Sequence, residues 1–490
     1  MTLRRITANF ANRVGGDGFY DIKRAGRLLK RGLWILAVLA AWSLFAVQCV
    51  IFTIKYFGYP IETQSELKYE QSSGFPSVSI CNLNPVKYSL IAQYIPTIFD
   101  HQDTQKKSWT DEKQEIPELV KQQREFYDTY YSLAKKVKRS IGHRLEEMMV
   151  ECIWKGKQCL PEDFTYYHHP IFGNCYAFNA GWVWSNGQTK SVRIKTTGLT
   201  GQNGGLSAIF LAQTWEYVPL LASSSGIRVH IHNQDRIPYP EDSGFSVSAG
   251  YSSSLQMRKV FLSRLDAPYN SAGCGTGLSS CMRALEAESY WPRANYSLSA
   301  CMKFCYQKRL LSMCECVNSR IFGPPKKRAC RVNDTVDMNC LKQFTVSFRS
   351  GDAANACKSE CQSPCLEVEY DVKMSFTPWP TENYLEYLNK SFAGRSSLLQ
   401  KVMNSGDERF IKENLLQINV YYERLNYESV TESASYSFAD LLGDYGGAVG
   451  LWIGMSVLAV AQCFEYLLEV LQFLIIEKTH VEKQGRRRRY

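Results

Sequence analysis

Two long apolar segments constrain this chain more than any other feature of its sequence. Residues 32–54 are 23 consecutive residues without a formal charge, and twelve of them are Leu, Ile, Val or Phe. A second apolar stretch, residues 445–476, contains formal charges only at Glu465 and Glu469. About 20 apolar residues are enough to cross a bilayer as a helix. We therefore expect two transmembrane helices, at 32–54 and within 438–476, rather than buried core helices or a cleaved signal peptide.

The charges next to these segments predict the orientation of the chain. Residues 1–32 carry a net charge of +6 and residues 477–490 carry +4, which together equal the whole formal charge of +10. Basic flanks stay on the cytosolic side of a membrane. We expect a multi-pass plasma-membrane protein with both termini in the cytosol, comprising an N-terminal segment at 1–31, an extracellular domain at 55–437 and a basic tail at 477–490. The tail is better explained by anionic membrane lipid than by nucleic acid, because residues 33–476 have no net charge.

The cysteines support an extracellular location for the large middle segment. Fifteen of the 17 cysteines lie in it, and eleven of those fall within residues 274–365. Such a density is typical of disulfide-stabilised extracellular domains. Zinc binding at Cys314 and Cys316, or at the later cysteines, is the competing interpretation. Three glycosylation sequons lie in the same segment, at Asn295, Asn333 and Asn389.

Residue patterns within this segment predict a mixed α+β domain. Residues 112–153 are polar with helical spacing, which indicates exposed helices. Residues 171–265 are rich in Gly, Ser and β-branched residues, which indicates short strands and turns. Residues 418–430 read as a strand that leads back to the membrane. The predicted fold class is an α+β membrane protein with two transmembrane helices and a large disulfide-rich extracellular domain.

The second apolar segment carries polar and small residues that a simple anchor does not need. Glycine in a helix costs about 0.5–1 kcal/mol relative to alanine, and an acid at the bilayer centre costs about 2.5–3.5 kcal/mol. At 100° per residue one broad stripe contains Asp440, Gly443, Gly447, Gly450, Gly454, Glu465 and Glu469. If the stripe faces water, its acids attract cations and repel anions. The alternative is that the acids lie at the level of the lipid headgroups.

The same segment is too long for one straight crossing. As a continuous helix its 32 residues would extend about 48 Å. A break near residues 454–456 would shorten it, and backbone carbonyls with the Ser456 hydroxyl could then form a filter; the alternative is a tilted helix. One such helix cannot enclose a pore, so several chains would have to share it in a closed ring.

Five motifs give the chain a resemblance to a known family. They are FPSVSICNLN at 75–84, FGNCYAFNAG at 171–180, GIRVHIHNQD with GFSVSAG at 226–250, SLSACMKFC at 297–305, and LLGDYGGAVGLWIGMS at 441–456. In order and spacing they resemble the degenerin/epithelial sodium channel family over nearly the whole chain. The resemblance implies a homotrimeric or heterotrimeric channel that conducts sodium ions and is blocked by amiloride.

The resemblance also implies roles for individual residues. The selectivity filter would be formed by Gly454, Met455 and Ser456. The pore-lining positions would be Asp440, Gly443, Gly447, Gly450, Gln462, Glu465 and Glu469, where Gln462 replaces a carboxylate of the family. Asp17 and Gly18 stand where the family has a His-Gly pair that shapes the inner pore from a re-entrant segment. Tyr59 and Tyr269 match an aromatic pair that couples the extracellular domain to the first helix.

Disulfide pairing follows from the resemblance as well. It implies bridges between Cys81 and Cys175 and between Cys152 and Cys159. It also implies a ladder formed by Cys301, Cys305, Cys314, Cys316, Cys330, Cys340, Cys357, Cys361 and Cys365. Fifteen outer cysteines leave one unpaired, and either Cys274 or Cys281 is the extra residue.

The stimulus that would open the channel is inferred from features of the family that this chain lacks. Acid-sensing members carry paired histidines after the first helix, where this chain has Pro60 and Ile61, and an acidic pair is replaced by Asp235-Arg236. The remaining resemblance is to the peptide-gated branch, the FMRFamide-gated sodium channels, and implies an extracellular amidated peptide as agonist. Proton gating, constitutive opening and a non-conducting sensory or adhesion subunit stay as alternatives. Candidate peptide-binding regions are residues 164–167 and the helices after 112.

Other functional classes lack their signatures. No zinc-protease, nucleophile-elbow or phosphate-loop motif occurs, so we expect neither enzymatic activity nor a cofactor. A nucleotide-gated channel would need a basic triphosphate site, which a neutral extracellular domain does not suggest. His230 and His232 share one strand face but are more typical of a structural pair than of a metal site.

Overall fold

The computed structural model describes residues 26–91, 93–95, 115–185, 188–218, 221–270, 273–275, 282–283, 291–292, 294–322, 327–392, 397–454, 464–468 and 470–472. The chain forms two compact units. One comprises residues 1–62 together with 433–490, and the other comprises residues 63–432.

The first unit contains a helix that is long and apolar enough to cross a membrane. Helix α1, Leu28–Phe57, has a mean hydropathy of 2.4 over its most apolar window, and none of that window is buried within the chain. It is the one helix of this kind among the described residues. The helix exceeds the expected span of 32–54 because basic residues, which remain compatible with helical backbone, continue it at both ends.

The α-helices of the described residues are numbered in chain order from α1. After α1 they are α2 Tyr88–Ile91, α3 Glu115–Ser132, α4 Lys135–Ile141, α5 Leu145–Met148, α6 Pro240–Ser243, α7 Leu298–Cys314, α8 Thr335–Ser350, α9 Asp352–Glu360, α10 Glu382–Phe392, α11 Ser397–Met403, α12 Glu408–Lys412 and α13 Phe438–Ala448. Helices α3–α5 occupy the polar region in which the spacing predicts helices. Helix α3 is amphipathic, because Phe126, Tyr127 and Tyr130 are buried while Lys121, Arg124 and Thr129 are exposed.

The second unit is built on two principal sheets. The strands are β1 Ile61–Lys68, β2 Ser73–Gly74, β3 Ser77–Asn82, β4 Met149–Trp154, β5 Lys157–Gln158, β6 Phe164–His169, β7 Gly173–Phe178, β8 Trp182–Ser185, β9 Gln188–Ser191, β10 Thr196–Thr197, β11 Leu206–Leu211, β12 Gly226–His232, β13 Phe245–Ser248, β14 Tyr251–Ser263, β15 Leu366–Pro378, β16 Leu415–Tyr422 and β17 Tyr427–Ala434. The larger sheet has the order β1-β17-β14-β16-β11-β4-β5, with β15 paired to β14, and the smaller has the order β13-β12-β3-β7-β6.

The main core lies between these two sheets. Phe210, Met257 and Val420 from the larger sheet pack in one cluster with Ile80 and Phe178 from the smaller sheet. Strand β3 is buried at all six positions, which explains the uninterrupted apolar and small side chains of its sequence. The expectation of one strand at 418–430 is wrong. The segment forms β16 and β17, separated by the polar residues 423–426.

Seven disulfides among the described residues cross-link the second unit. Besides Cys81–Cys175 and Cys152–Cys159, which the resemblance implied, the bridges are Cys274–Cys365, Cys301–Cys361, Cys305–Cys357, Cys314–Cys340 and Cys316–Cys330. Cys274 is therefore not the extra cysteine, and Cys281 lies outside the described residues. The cysteines considered as zinc ligands are consumed by these bridges.

Bridges that close long loops are expected to contribute most to stability. Cys81–Cys175 spans 94 residues, whereas Cys152–Cys159 spans 7. The chain-entropy relation gives about 5 kcal/mol for the long loop and about 2 kcal/mol for the short one. We predict that the C81S/C175S double variant loses about twice as much unfolding free energy as C152S/C159S, measured by urea unfolding of the solubilised protein. Equal losses would contradict this ordering.

Candidate functional site

Helix α13 begins at a well-defined N-cap. The Ser437 hydroxyl accepts a hydrogen bond from the Asp440 backbone N–H at 3.2 Å, and Asp440 Oδ2 accepts from the Ser437 backbone N–H at 2.8 Å. This reciprocal capping box satisfies two of the free N–H groups at the helix start. Asp440 is exposed and its carboxylate also accepts from the Ser437 hydroxyl. The sequence interpretation of Asp440 missed this structural role, although the Ser-x-x-Asp spacing signals it.

One face of the helical segment that begins with α13 packs on helix α1. The Trp452 indole N–H donates to Gln48 Oε1 at 2.7 Å, and the hydroxyls of Thr53 and Tyr445 are 2.5 Å apart. The Phe52 and Tyr445 rings approach to 6.3 Å between centroids. Polar pairs between apolar helices are specific contacts, because an unpaired donor in hydrocarbon is unfavourable. These pairs therefore fix the rotation of the segment about its own axis.

The opposite face carries the glycines. A Cβ atom placed on Gly443, Gly446, Gly447 or Gly450 would meet no heavy atom of the described chain within 4 Å. These positions are exposed, whereas Leu441 and Ala448 on the other side are buried. The structure thus brings Asp440, Gly443, Gly447 and Gly450 onto one open face, as the helical spacing indicates. A surface of this kind lets another backbone or a narrow aqueous path come close.

The helical backbone ends at Gly454. α13 gives way to a π-helical turn at Val449–Ile453, and Gly454 follows with φ of 70°. This left-handed conformation suits glycine, because a side chain would clash with the backbone. Residues 464–468 are helical again, and Glu465 in that stretch is exposed. The remaining predicted positions lie outside the described residues: Asp17, Gly18, Met455, Ser456, Gln462 and the side chain of Glu469.

The two tyrosines expected to couple domain and helix lie in different units. Tyr59 follows helix α1 with φ of 45°, and its ring centroid is 6.2 Å from that of Tyr56. Tyr269 lies in a turn of the second unit, where its backbone N–H donates to the Asp266 carbonyl at 3.2 Å.

The three sequon residues, Asn295, Asn333 and Asn389, are all exposed.

Four described histidines of the second unit, His143, His168, His230 and His232, have lowered pKa values because burial disfavours the charged ring. Burial lowers the pKa of His143 to about 4 and that of His168 to about 3. His232 has a pKa of about 4 for the same reason, and its Nε2 lies 2.8 Å from the Ser79 hydroxyl. Burial also lowers the pKa of His230, whose Nε2 lies 2.9 Å from Ser243 Oγ. These contacts fit the structural interpretation of the pair His230 and His232.

Two carboxylates stand out that sequence reasoning missed. Burial raises the pKa of Asp128 to about 6, although hydrogen bonds from Ser319 and the Val332 backbone oppose the shift. Burial alone would also raise the pKa of Glu241, but its contacts with His169 Nε2 and with the Lys303 ammonium group outweigh burial and lower the pKa to about 2. No local motif marks either residue, because their partners are distant in sequence.

The second unit contains residues 164–167 and the pair Asp235-Arg236, which were both discussed in connection with gating. Residues 164–167 form most of strand β6, and Phe164, Thr165 and Tyr167 are buried against neighbouring strands. They pack the core, so they are wrong as candidates for an open peptide site. Asp235 is 3.6 Å from the Arg236 guanidinium and accepts a hydrogen bond from Asn295 at 2.8 Å, so it forms a local ion pair.

Comparison with known proteins places the chain among membrane channels. A family model described as amiloride-sensitive sodium channel matches residues 10–466. Similar proteins include acid-sensing ion channel 1A of Danio rerio, 27% identical over 90% of this chain and 83% of the relative, and acid-sensing ion channel 1 of Gallus gallus, 28% identical over 94% and 82%. Degenerin unc-8 of Caenorhabditis elegans is 28% identical over 73% of this chain and 44% of its own length.

This match agrees with the apolar helix α1, the seven bridges and the α+β second unit. Members of the matched family are plasma-membrane ion channels, not enzymes; they are trimers with two transmembrane helices, conduct sodium and are blocked by amiloride. The chain belongs to the amiloride-sensitive sodium channel family, and it is a sodium channel subunit of the degenerin type.

Proposed function

We propose that this chain forms a sodium-selective pore whose opening is controlled by an extracellular ligand, with an amidated peptide of FMRFamide type as the agonist. The pore assignment rests on one observation, the two-sided helical segment beginning at residue 438. One side is held on α1 by Trp452 and Tyr445, and the other presents Gly443, Gly447 and Gly450 to open space. In a symmetric assembly the open side is the side available to line a shared path.

The proposed filter comprises Gly454, Met455 and Ser456. It is supported by the left-handed Gly454, because a backbone that leaves the helix frees carbonyl groups to bind ions. Below it, Gln462, Glu465 and Glu469 line the pore, and the two glutamates attract cations. This arrangement requires the second transmembrane helix to lie within 438–476, the basic tail at 477–490 to be cytosolic, and Asp17-Gly18 to border the pore from the cytosolic side.

Peptide gating is supported by the weakness of the histidine proton sensors. Pro60 and Ile61 cannot titrate, and the pKa values of His143, His168 and His232 lie well below neutrality. These three histidines therefore gain no charge when the pH falls from 7.4 to 5.5. In this proposal Tyr59 and Tyr269 carry the effect of the ligand from the extracellular domain to α1.

Proton gating is the second candidate, and one described residue favours it. Asp128 has a pKa raised to about 6 by burial, so this carboxylate changes charge in the mildly acidic range. Two similar proteins are named acid-sensing ion channels. Protonation of Asp128 would change the contact between helix α3 and Ser319, whose hydroxyl donates to it at 2.7 Å.

Voltage-clamp recording from cells that express this chain alone separates the candidates. We expect an amidated Phe-Met-Arg-Phe peptide to evoke an inward current that amiloride blocks and that disappears when a large organic cation replaces sodium. The free-acid form of the same peptide is the matched control and should be much weaker. Acid steps to pH 5.5 without peptide should evoke little current. Robust acid currents with silence to both peptides would reverse the gating proposal.

A further inference from the structure

A cavity in the second unit combines positive charge with one buried carboxylate. Its volume is about 570 Å³, within the range of small-molecule sites. Its walls come from α3, from the segment 317–320 that follows α7, and from α8. Their charged side chains are Arg124, Asp128, Arg320, Lys342 and Arg349. The cavity therefore has a formal charge of +3, although the extracellular domain as a whole is close to neutral.

The four cations are not neutralised inside the chain. Across the part of the chain that the structure describes, none of them has a carboxylate oxygen within 4.0 Å. The Arg320 guanidinium instead lies over the Tyr127 ring, 5.1 Å from its centroid. Neighbouring basic residues are paired, since Arg328 contacts Asp337 and Arg331 contacts Asp334 at 2.6 Å. Among the described residues, the basic side chains that line the cavity therefore have no carboxylate partner, whereas Arg328 and Arg331 beside the cavity do.

The one carboxylate in the cavity is itself incompletely satisfied. Asp128 Oδ1 accepts a hydrogen bond from the Ser319 hydroxyl at 2.7 Å, while Asp128 Oδ2 is buried without a hydrogen-bond partner in the structure. A buried polar oxygen of this kind is unfavourable unless a donor reaches it. Protonation of Asp128 would remove this penalty, and it would also remove the negative charge from the cavity.

We propose that this cavity is a binding site for a small extracellular polyanion, a molecule with two or more carboxylate, phosphate or sulfonate groups. Guanidinium groups bind such oxygens with paired hydrogen bonds, and the three arginines, which lie on three separate elements, can hold two anionic groups at once. Occupation would tie α3 to α8. The contacts of α3 near the cavity run instead to Ser319, in the segment after α7, and to Asn333, just before α8, whose Nδ2 donates to Glu125 Oε1 at 3.0 Å.

Proton binding should strengthen this site. Asp128 faces Arg124 and Glu125 on its own helix, Ser319 and Arg320 on the adjoining segment, the Val332 backbone, and Lys342 with Arg349 on α8. Its pKa of about 6 makes it anionic at pH 7.4 and mostly neutral at pH 5.5. Removing the repulsion between one carboxylate and a bound anion is worth roughly a fivefold change in affinity at a water-exposed site.

The test is a binding titration of the purified full-length channel in lipid nanodiscs at constant ionic strength. The probe is ethane-1,2-disulfonate, whose charge does not change between pH 7.4 and 5.5, and the control ligand is ethanesulfonate. We expect saturable binding of the disulfonate alone, about fivefold tighter at pH 5.5. A second arm with inorganic pyrophosphate at pH 7.4 distinguishes phosphate ligands from sulfonates. Equal responses to the dianion and the monoanion would overturn the proposal.

Substitutions of residues that line the cavity test whether the disulfonate binds there. K342Q/R349Q should weaken disulfonate binding at least tenfold, whereas K358Q, which removes an exposed charge on the nearby helix α9, should leave it unchanged. D128N keeps an acceptor for Ser319 but removes the charge, so it should bind at pH 7.4 as tightly as the unmodified channel does at pH 5.5. Equal loss in K342Q/R349Q and K358Q would show nonspecific attraction and defeat the proposal. Because binding is measured without current, its result is independent of the proposed gating.

Discussion

Replacing Gly454 with valine should abolish the sodium current while the chain still reaches the cell surface. Gly454 has φ of 70°, a conformation that costs a non-glycine residue roughly 1–2 kcal/mol and is worse for a β-branched one. Each subunit of a trimer would carry the same strain at the same level of the pore. We therefore expect at least a tenfold loss of current, measured by voltage clamp and normalised to surface-biotinylated protein.

Two matched variants identify the cause of that loss. G454N should retain more current than G454V, because asparagine tolerates left-handed backbone better than other non-glycine residues. G446A should remain close to the unmodified channel, because Gly446 is helical and a Cβ there meets nothing within 4 Å. Current in G454V equal to that of the unmodified channel would contradict the assignment of Gly454 to the filter. Equal loss in G454V and G454N would show that side-chain volume, rather than backbone conformation, is decisive.

Replacing Glu241 with glutamine should destabilise the extracellular domain by about 3 kcal/mol or more. Glu241 is 2.6 Å from Lys303 Nζ and 3.0 Å from His169 Nε2, and its side chain is 18% exposed. The His169 Nδ1 atom accepts backbone N–H bonds from Ile171 and Phe172, so the ring hydrogen lies on Nε2 and points at the carboxylate. Glutamine removes the charge of a mostly buried carboxylate, and Lys303 is left with the more exposed Asp242 as its carboxylate partner.

The adjacent carboxylate provides the control for this prediction. Asp242 lies 3.0 Å from the same Lys303 amine, but its side chain is 42% exposed. Exposed pairs contribute about 0–1 kcal/mol, so D242N should change stability little. Both variants are compared by urea unfolding of the solubilised channel. Similar losses in E241Q and D242N would contradict the role assigned to burial.

The pH dependence of the same variant has a defined sign. The folded-state pKa of Glu241 is about 2, below its ordinary value of 4.5, so its stabilising contribution is complete above pH 4.5 and is lost as the pH falls toward 2. The stability difference between the unmodified channel and E241Q should therefore stay constant from pH 7.4 to 5 and shrink below 4.5. A difference that closes between pH 7.4 and 5.5 would mean that Glu241 is already protonated in the native state.

Local sequence patterns predicted helices and strands but not which of them pair or pack together. The first apolar segment, the helices after residue 112 and the break in the second apolar segment were all visible in the sequence, because each depends on neighbours a few residues away. The split of residues 418–430 into two strands was missed, because β16 and β17 each pair with β14 and these pairings are long-range. Residues 164–167 were a candidate peptide-binding region until the sheet that buries three of them was known.

The sequence by itself determined that this chain has a segment apolar enough to cross a membrane, gathers 15 of its 17 cysteines between its two apolar segments and repeats glycine along one stripe of the last of them. Apolar length, flanking charge and helical periodicity are properties of the chain read in one dimension. The tertiary structure alone decided that Cys274 pairs with Cys365, that Glu241 is held by His169 and Lys303, and that Asp128 meets Ser319, which is 191 positions away. Such contacts arise from packing over long sequence separations, and their burial sets the charge states of Glu241 and Asp128.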